Sequence, residues 1–464
     1  MRQRLIEAPV PGWVDPALVF RALYANESRA VWLDSGMHAE SGMSYLGAAA
    51  RWMTATADGP VTVDGLSVPG TVLDVLRTEL ARAVVEPGGG FRLGWVGWLG
   101  YELRAQTMGI PPRSGGRYPD ASMLFLDRAI VFDHTTHSIG LIALGEAWTG
   151  ELADWRETTA AAIELAGRLG PSAPSPAPRA EAPVAWAHSD DDYLRMIGDC
   201  QAAIRAGDAY QLCLTTEVSV DVRPDPFETY LRLRASSPSH HGALFLADGS
   251  ALLSASPEQF LAVSPDGVVE SRPIKGTRRR GASAEEDADL AAELLSSEKE
   301  RAENLMIVDL MRNDLARVSE VGSVEVAGLL TVESYAHVHQ LVSTVRGRLA
   351  VGRSGLDAVG ACFPAGSMTG APKHSAVTIL DGLEGRARGV YSGAFGYFGL
   401  DGRIDLAMVI RSILLDEGGA TVGSGGGITA LSVPAEELEE VRLKAAALLA
   451  ALGVAPTPVS PTAA

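Results

Sequence analysis

Between Gly242 and Arg272 four short apolar runs follow one another: Gly242–Leu246, Ala251–Ser254, Phe260–Ser264 and Gly267–Arg272. Each has the length of a strand, and the breaks between them have the length of hairpin turns. The pattern returns at Arg388–Leu400 and Asp405–Asp416, which read as two antiparallel strands around the Asp401-Gly402 turn. Strands outnumber helices along the chain, and no fixed-period repeat occurs. The expected class is α+β, with large, mostly antiparallel sheets forming a sandwich-like core and helices packed outside.

The first region, 1–169, alternates apolar runs with turn clusters. Arg29–Asp34 reads as a strand. Gly70–Val85 reads as a helix with Leu73, Val75, Leu76, Leu80 and Val84 as its apolar stripe. Phe91–Gly100 is a glycine- and tryptophan-rich strand, and glycine inside a strand marks close backbone packing or a bulge. Met123–His134 reads as one strand and Trp148–Leu169 as a helix. Residues 170–187 hold five prolines between Gly170 and Pro183 and read as a solvated linker.

The second region, 188–452, opens with a helix capped by Ser189 and stopped by Gly207. Tyr210–Val220 reads as a strand, Phe227–Ala235 as a helix, and Glu285–Met311 as one long helix. Val338–Gly347 is a strand. Helices are expected at Gly355–Cys362, Ala371–Leu383 and Glu436–Leu452, with a strand at Ala420–Gly423. Residues 453–464 read as a flexible tail.

Hydrophobic residues make up 47% and charged residues 21% of the 464, enough apolar material for a large core and against disorder. The net charge of −18 argues against a nucleic-acid partner, which needs a basic face. Lys275-Gly-Thr-Arg-Arg-Arg-Gly281 carries four cationic residues, and an otherwise acidic chain makes it a poor nucleic-acid patch. Three cysteines are too few and too scattered for a disulfide framework or a zinc site. There is no apolar run at the N-terminus of signal-peptide length and none elsewhere long enough to cross a membrane, so a cytoplasmic protein without a membrane partner is expected.

Ser271-Arg272-Pro273-Ile274-Lys275-Gly276-Thr277 places one lysine with unusual definition. Pro273 fixes φ and extends Arg272, and Gly276 permits a sharp bend and a close approach by a ligand. Lys275 is thus aimed rather than loose, although a lysine at a turn is ordinarily a surface residue. Two helices each carry a carboxylate pair three residues apart, Glu300 with Glu303 and Glu437 with Glu440, so each pair shares a face. Such pairs are usually solvated. Facing one cleft, they would suit a hard cation such as Mg²⁺, which could bridge to an anionic substrate. Gly423-Ser-Gly-Gly-Gly-Ile428 lacks the spacing and setting of a dinucleotide fingerprint. It reads either as a turn or as a run of backbone N–H groups for a carboxylate. Arg411 lies in an apolar strand, where a charge needs a partner, and is a candidate for a bidentate grip on a carboxylate, shared with Tyr391.

Together these residues resemble the chorismate-utilising enzyme family. The resemblance rests on Pro273–Thr277, Glu303–Leu310 with Arg312-Asn-Asp314, Gly370–Lys373, Tyr391–Gly393, Arg411-Ser412 and Gly425–Ile428, in the family's order. The first region resembles the partner region of the anthranilate and aminodeoxychorismate synthases, best at Gly97–Glu102. Lys275 stands where anthranilate synthases usually have alanine. Gln211 stands where isochorismate and salicylate synthases have a water-activating lysine. That combination resembles the aminodeoxychorismate synthase branch, component I.

The resemblance implies a reaction. Chorismate would be held by Thr277, Tyr391, Arg411, Gly425, Gly426, Gly427 and Lys444, and by Mg²⁺. Glu303 and Glu440 would ligate the ion directly, and Glu300 and Glu437 through water. Lys275, with its pKa lowered by partial burial, would attack the ring and be displaced by ammonia, with Glu258 moving the proton. The product would be 4-amino-4-deoxychorismate, on the way to para-aminobenzoate and folate. No cysteine sits in a Gly-x-Cys-x-Gly elbow, so ammonia would come from a separate glutamine amidotransferase subunit. Gln340 stands where anthranilate synthases often have a histidine, a candidate acid for the departing hydroxyl; neighbours on a strand face opposite ways, so His339 does not substitute for it, and His337 and His339 read as structural. The alternatives are an anthranilate synthase component I and a non-catalytic chorismate-binding paralogue.

Overall fold

The computed structural model describes residues 4–37, 39–170, 175–177, 182–335 and 338–454. His337, the tail beyond Val454, and residues 171–174 and 178–181 of the proline-rich stretch lie outside the described residues. The architecture is the expected one: two twelve-stranded sheets, every described strand pair antiparallel, with helices on the outer faces.

The sheets meet through a shared apolar layer. Val31, Phe245 and Leu252 of one sheet pack against Val96, Trp98 and Phe395 of the other. The Trp98 and Phe245 rings lie 5.1 Å apart, edge to face, and Phe245 meets Phe395 at 5.9 Å. The outer face of the first sheet is covered by the helices Pro16–Leu23, Glu151–Leu169, Pro226–Ser236 and Pro434–Ala451. Val72–Leu80, Glu298–Ala316 and Gly355–Cys362 cover the second.

Both sheets draw strands from both sequence regions. Arg29–Asp34 pairs with His241–Ala247, Val31 opposite Phe245. Gly94–Leu99 pairs with Ala394–Gly399, and Gly97 lies opposite Gly396. A side chain at either glycine would run into the backbone of the next strand, at Ser122 or at Asp405. This is the close packing expected of the Phe91–Gly100 segment. The boundary at the proline-rich stretch is therefore a boundary in sequence that the sheets do not follow.

Several elements differ from the sequence reading. Met123–His134 is two strands, Ala121–Leu126 in the second sheet and Arg128–Asp133 in the first, and the chain crosses between sheets at Asp127. The run Asp405–Asp416 crosses the same way, with Ile404–Met408 in the second sheet and Ser412–Asp416 in the first. Both sides of each crossing are apolar because both sheets bury that run. The long helix is two, Ala284–Ser296 and Glu298–Ala316. Ser297 ends the first and caps the second, its hydroxyl accepting from the Glu300 N–H. The strand Glu325–Ser334 has no counterpart in the sequence reading, because its alternation is broken by two register shifts against Val338–Arg348.

Because the two regions share sheets, residues 188–464 expressed alone should be insoluble or lack a cooperative thermal transition. A soluble fragment with a sharp transition and near-UV circular dichroism would contradict this.

Candidate active site

Lys275 lies on the strand Ile274–Arg279, which pairs with Val338–Arg348. Register shifts between Ile274 and Thr277, so Lys275 and Gly276 form an irregular bend. Gly276 has φ +82°, and a Cβ there would sit 2.7 Å from Leu294 and 3.0 Å from the Glu300 carboxylate. The bend anticipated from Pro273 and Gly276 is thus present, with Glu300 directly behind it.

The Lys275 side chain is half-buried. Burial pulls its ammonium down, but Cys213, Glu303, Glu258 and Glu440 around it outweigh burial and hold its pKa above the ordinary lysine value. This reverses the expected lowering: charges on other elements decide the sign, and they outnumber what burial alone suggests. Glu258 is buried beside it. Burial raises the Glu258 carboxyl, while Lys275, the Ser367 hydroxyl and the Ile274 N–H favour its anion.

The glycine run is the far half of the strand Gly419–Ile428 rather than a turn following a strand. One edge pairs with Gln211–Val220, with Cys213 opposite Gly427 and Thr215 opposite Gly425. The other edge pairs with Ser412–Asp416 only as far as Thr421. A Cβ at Gly423 would fall within the Tyr391 ring, and one at Gly426 would lie 3.2 Å from Glu437 Oε2. At Gly427 it would collide with the Gln211 amide and stand 3.7 Å from Glu303 Oε2. The glycines let Tyr391, Gln211 and the carboxylates of two helices come up against one strand. Lys444 donates to Gly425 O at 2.8 Å and pairs with Glu440 at 2.7 Å.

Arg411 is not inside a strand, as the sequence reading had it. It occupies the crossing between sheets, with φ +50°, a backbone conformation an arginine adopts only under constraint. Its carbonyl accepts from Ala255 N at 3.1 Å. The guanidinium makes no ion pair or side-chain hydrogen bond among the described residues. Desolvation by the surrounding protein lowers its pKa, opposed by Tyr391 and Glu440, although the residue as a whole is exposed. Thr277 is exposed and opposite Gln340.

Four glutamates converge from the two helices. Glu303 is pushed up to about 7, first by burial, with Glu300 and Glu437 adding repulsion against the relief from Lys275 and Lys299. Glu437 is 2% exposed and accepts from Ser432 Oγ at 2.8 Å. Three carboxylates carry protein cations: Glu437 with Lys299 at 3.2 Å, Glu300 with Arg278 at 3.6 Å, and Glu440 with Lys444. Among the described residues no three acidic, histidine or cysteine side chains stand close enough together to enclose an ion as they are placed. The all-oxygen donors and the surplus negative charge fit a hard divalent cation.

Gln211 is the site residue that sequence reasoning noted by position but did not assign a role. It is 1% exposed, and neither atom of its amide has a partner. A buried amide without a protein partner, against Gly427, is a group that a ligand or a bound water can satisfy. Other quoted segments turn out to be supports. Lys373 bonds Asp314, Cys362 O and Pro364 O, tying the Gly370–Lys373 segment to Arg312-Asn-Asp314. Buried Arg388 donates to Cys213 O at 2.9 Å and to Glu384 at 2.7 Å, while its own N–H goes to Glu102. Glu102 and Arg388 thereby tie the first region to the strand that carries Gln211. His339 is held between Ser334 and Asp287, at 2.8 and 2.9 Å, away from Gln340.

This fold and this cleft define a class. The chain belongs to the chorismate-binding enzyme family, whose description matches residues 29–450. Among curated relatives, it is 45% identical to an aminodeoxychorismate synthase of Streptomyces griseus, over 98% of this chain and 65% of that protein. It is 36% identical to anthranilate synthase component 1 of Mycolicibacterium smegmatis, over 96% of this chain and 90% of that one. Among solved structures, anthranilate synthase component I from Streptococcus pneumoniae superposes with TM-score 0.74 at 27% identity, covering 95% and 98% of the two chains. The chain spans just under two thirds of the length of the Streptomyces aminodeoxychorismate synthases it matches.

Gly423→Ala should lower stability by about 1–3 kcal/mol, because the Tyr391 ring must move. Gly198→Ala, in a helix with nothing within 4 Å of the added carbon, should be neutral or slightly stabilising. Denaturant melts of both compare them directly, and equal effects would refute the packing role given to the glycine strand.

Proposed function

We propose that this chain is the chorismate-aminating component of aminodeoxychorismate synthase, producing 4-amino-4-deoxychorismate for para-aminobenzoate and folate synthesis. The observation that carries the reading is Lys275 held in a bend beside buried Glu258, with Gln211 rather than a lysine in the cleft. The identity of 45% to one aminodeoxychorismate synthase and 44% to another supports it.

Arg411 and Tyr391 grip a substrate carboxylate, with Thr277, Lys444 and the open edge of Gly425–Gly427 beside them. Arg411 suits that task because it is fixed by its backbone and has no protein anion of its own. Glu258 takes the proton that Lys275 must lose. The free amine then forms a bond to ring C2, the double bond shifts, and the C4–O bond breaks, the hydroxyl leaving as water with the proton that the attacking nitrogen gives up. Ammonia next bonds to C4, the double bond shifts back, and the C2–N bond to Lys275 breaks, the proton lost by the incoming nitrogen going to the departing one and restoring the lysine. A covalent intermediate divides one difficult substitution into two easier ones. Gln211 offers one acceptor and two donors, which suits the entering ammonia.

Mg²⁺ bound by Glu303 and Glu440, with Glu300 and Glu437 acting through water, would supply charge neutralisation for the substrate. Ammonia comes from a glutamine amidotransferase partner in this reading, since all three cysteines here are buried. Three free thiols suit a reducing, cytoplasmic setting. No helix among the described residues is long and apolar enough to cross a membrane.

Incubation with chorismate, ammonium and Mg²⁺ should give 4-amino-4-deoxychorismate and no pyruvate, resolved by chromatography. Glu258→Gln should lower the rate by about 100- to 10,000-fold. Anthranilate released with equimolar pyruvate would replace this reading with that of an anthranilate synthase component.

A further inference from the structure

Lys299 is the second residue of the helix Glu298–Ala316, just inside the Ser297 cap. A cation is disfavoured there by the partial positive charge of the helix N-terminus, where Glu298 and Glu300 are the favoured kind of neighbour. What offsets that cost is Glu437 on the other helix, 3.2 Å from the Lys299 ammonium. The partners are unequal. Glu437 is 2% exposed and anchored by Ser432, whereas the Lys299 side chain is 45% exposed.

The other two cations at the carboxylates are tied down elsewhere. Arg278 also forks onto Glu293 at 2.7 and 2.9 Å, and Lys444 also donates to Gly425 O. Lys299 has no bond except that to Glu437 among the described residues. It is the cation that can leave without breaking anything else, and solvent is open to it.

Resting on the reading of the four glutamates as a divalent-cation site, we propose that Lys299 is the resident counter-ion of the metal-free cluster, displaced to solvent when a divalent cation enters. It has two effects. It keeps buried Glu437 neutralised when no metal is present, and it weakens metal affinity by competing for the same carboxylate.

The test is calorimetric titration of Mg²⁺ into the full chain without substrate, with wild type, Lys299→Met and Lys299→Arg. Lys299→Met should bind Mg²⁺ about three- to tenfold more tightly, since the competitor is gone. Its melting temperature should fall below wild type without metal and match it at saturating Mg²⁺. Lys299→Arg should keep the weaker affinity. Brief acetylation of wild type, read by peptide mass spectrometry, should show Lys299 becoming more reactive as Mg²⁺ is added. Equal or weaker Mg²⁺ binding by Lys299→Met, or Lys299 reactivity that does not rise, overturns the proposal. Absence of Mg²⁺ binding in every protein overturns the cation reading along with it.

Discussion

One strand, Gly419–Ile428, has almost no side chains on its far half, and the cleft depends on that. Into the space left at Gly423, Gly426 and Gly427 come the Tyr391 ring, the Glu437 carboxylate and the Gln211 amide. These groups arise from a loop, a helix and the neighbouring strand. Their convergence is a packing problem before it is a chemical one. Any side chain on those glycines would push apart the elements that carry the functional groups.

The second requirement is charge balance. The cleft collects Glu258, Glu300, Glu303, Glu437 and Glu440 against Lys275, Lys299, Lys444 and Arg278. Burying that many ions is costly unless each is answered, and here protein cations answer most of them. Glu303 is the exception, pushed up to about 7 by burial and by its acidic neighbours. The same anions hold Lys275 above its ordinary pKa, so a free amine in this cleft requires a group such as Glu258 to receive its proton. A second tier of buried ions steadies the frame. Arg388, Glu384 and Glu102 lock the strand bearing Gln211 to the first region, and Lys373 with Asp314 joins two helices behind the cleft.

The layered antiparallel architecture was legible because hairpin spacing and strand-length apolar runs are local signals. The glutamate pairs and Lys275 were legible because their spacing and flanking residues restrict where they point. The sheet crossings at Asp127 and Arg411 were not, since Ile404–Met408 and Ser412–Asp416 are apolar for different partners and no change of polarity marks the switch. The helix break at Ser297 was hidden by good helix formers on both sides. The sign of the Lys275 shift was hidden because it depends on four groups from distant parts of the chain. The open amide of Gln211 becomes visible only when the neighbours that fail to bond it are in place.

In the proposed reaction Lys275 is the nucleophile of a carboxylate-lined cleft. The decisive measurement is the intact mass of the protein, quenched in acid after exposure to chorismate and Mg²⁺ without ammonia. A covalent Lys275 intermediate adds the mass of chorismate less one water to wild type and none to Lys275→Ala. Wild-type protein that turns over chorismate with ammonia, yet never carries that mass, would contradict it.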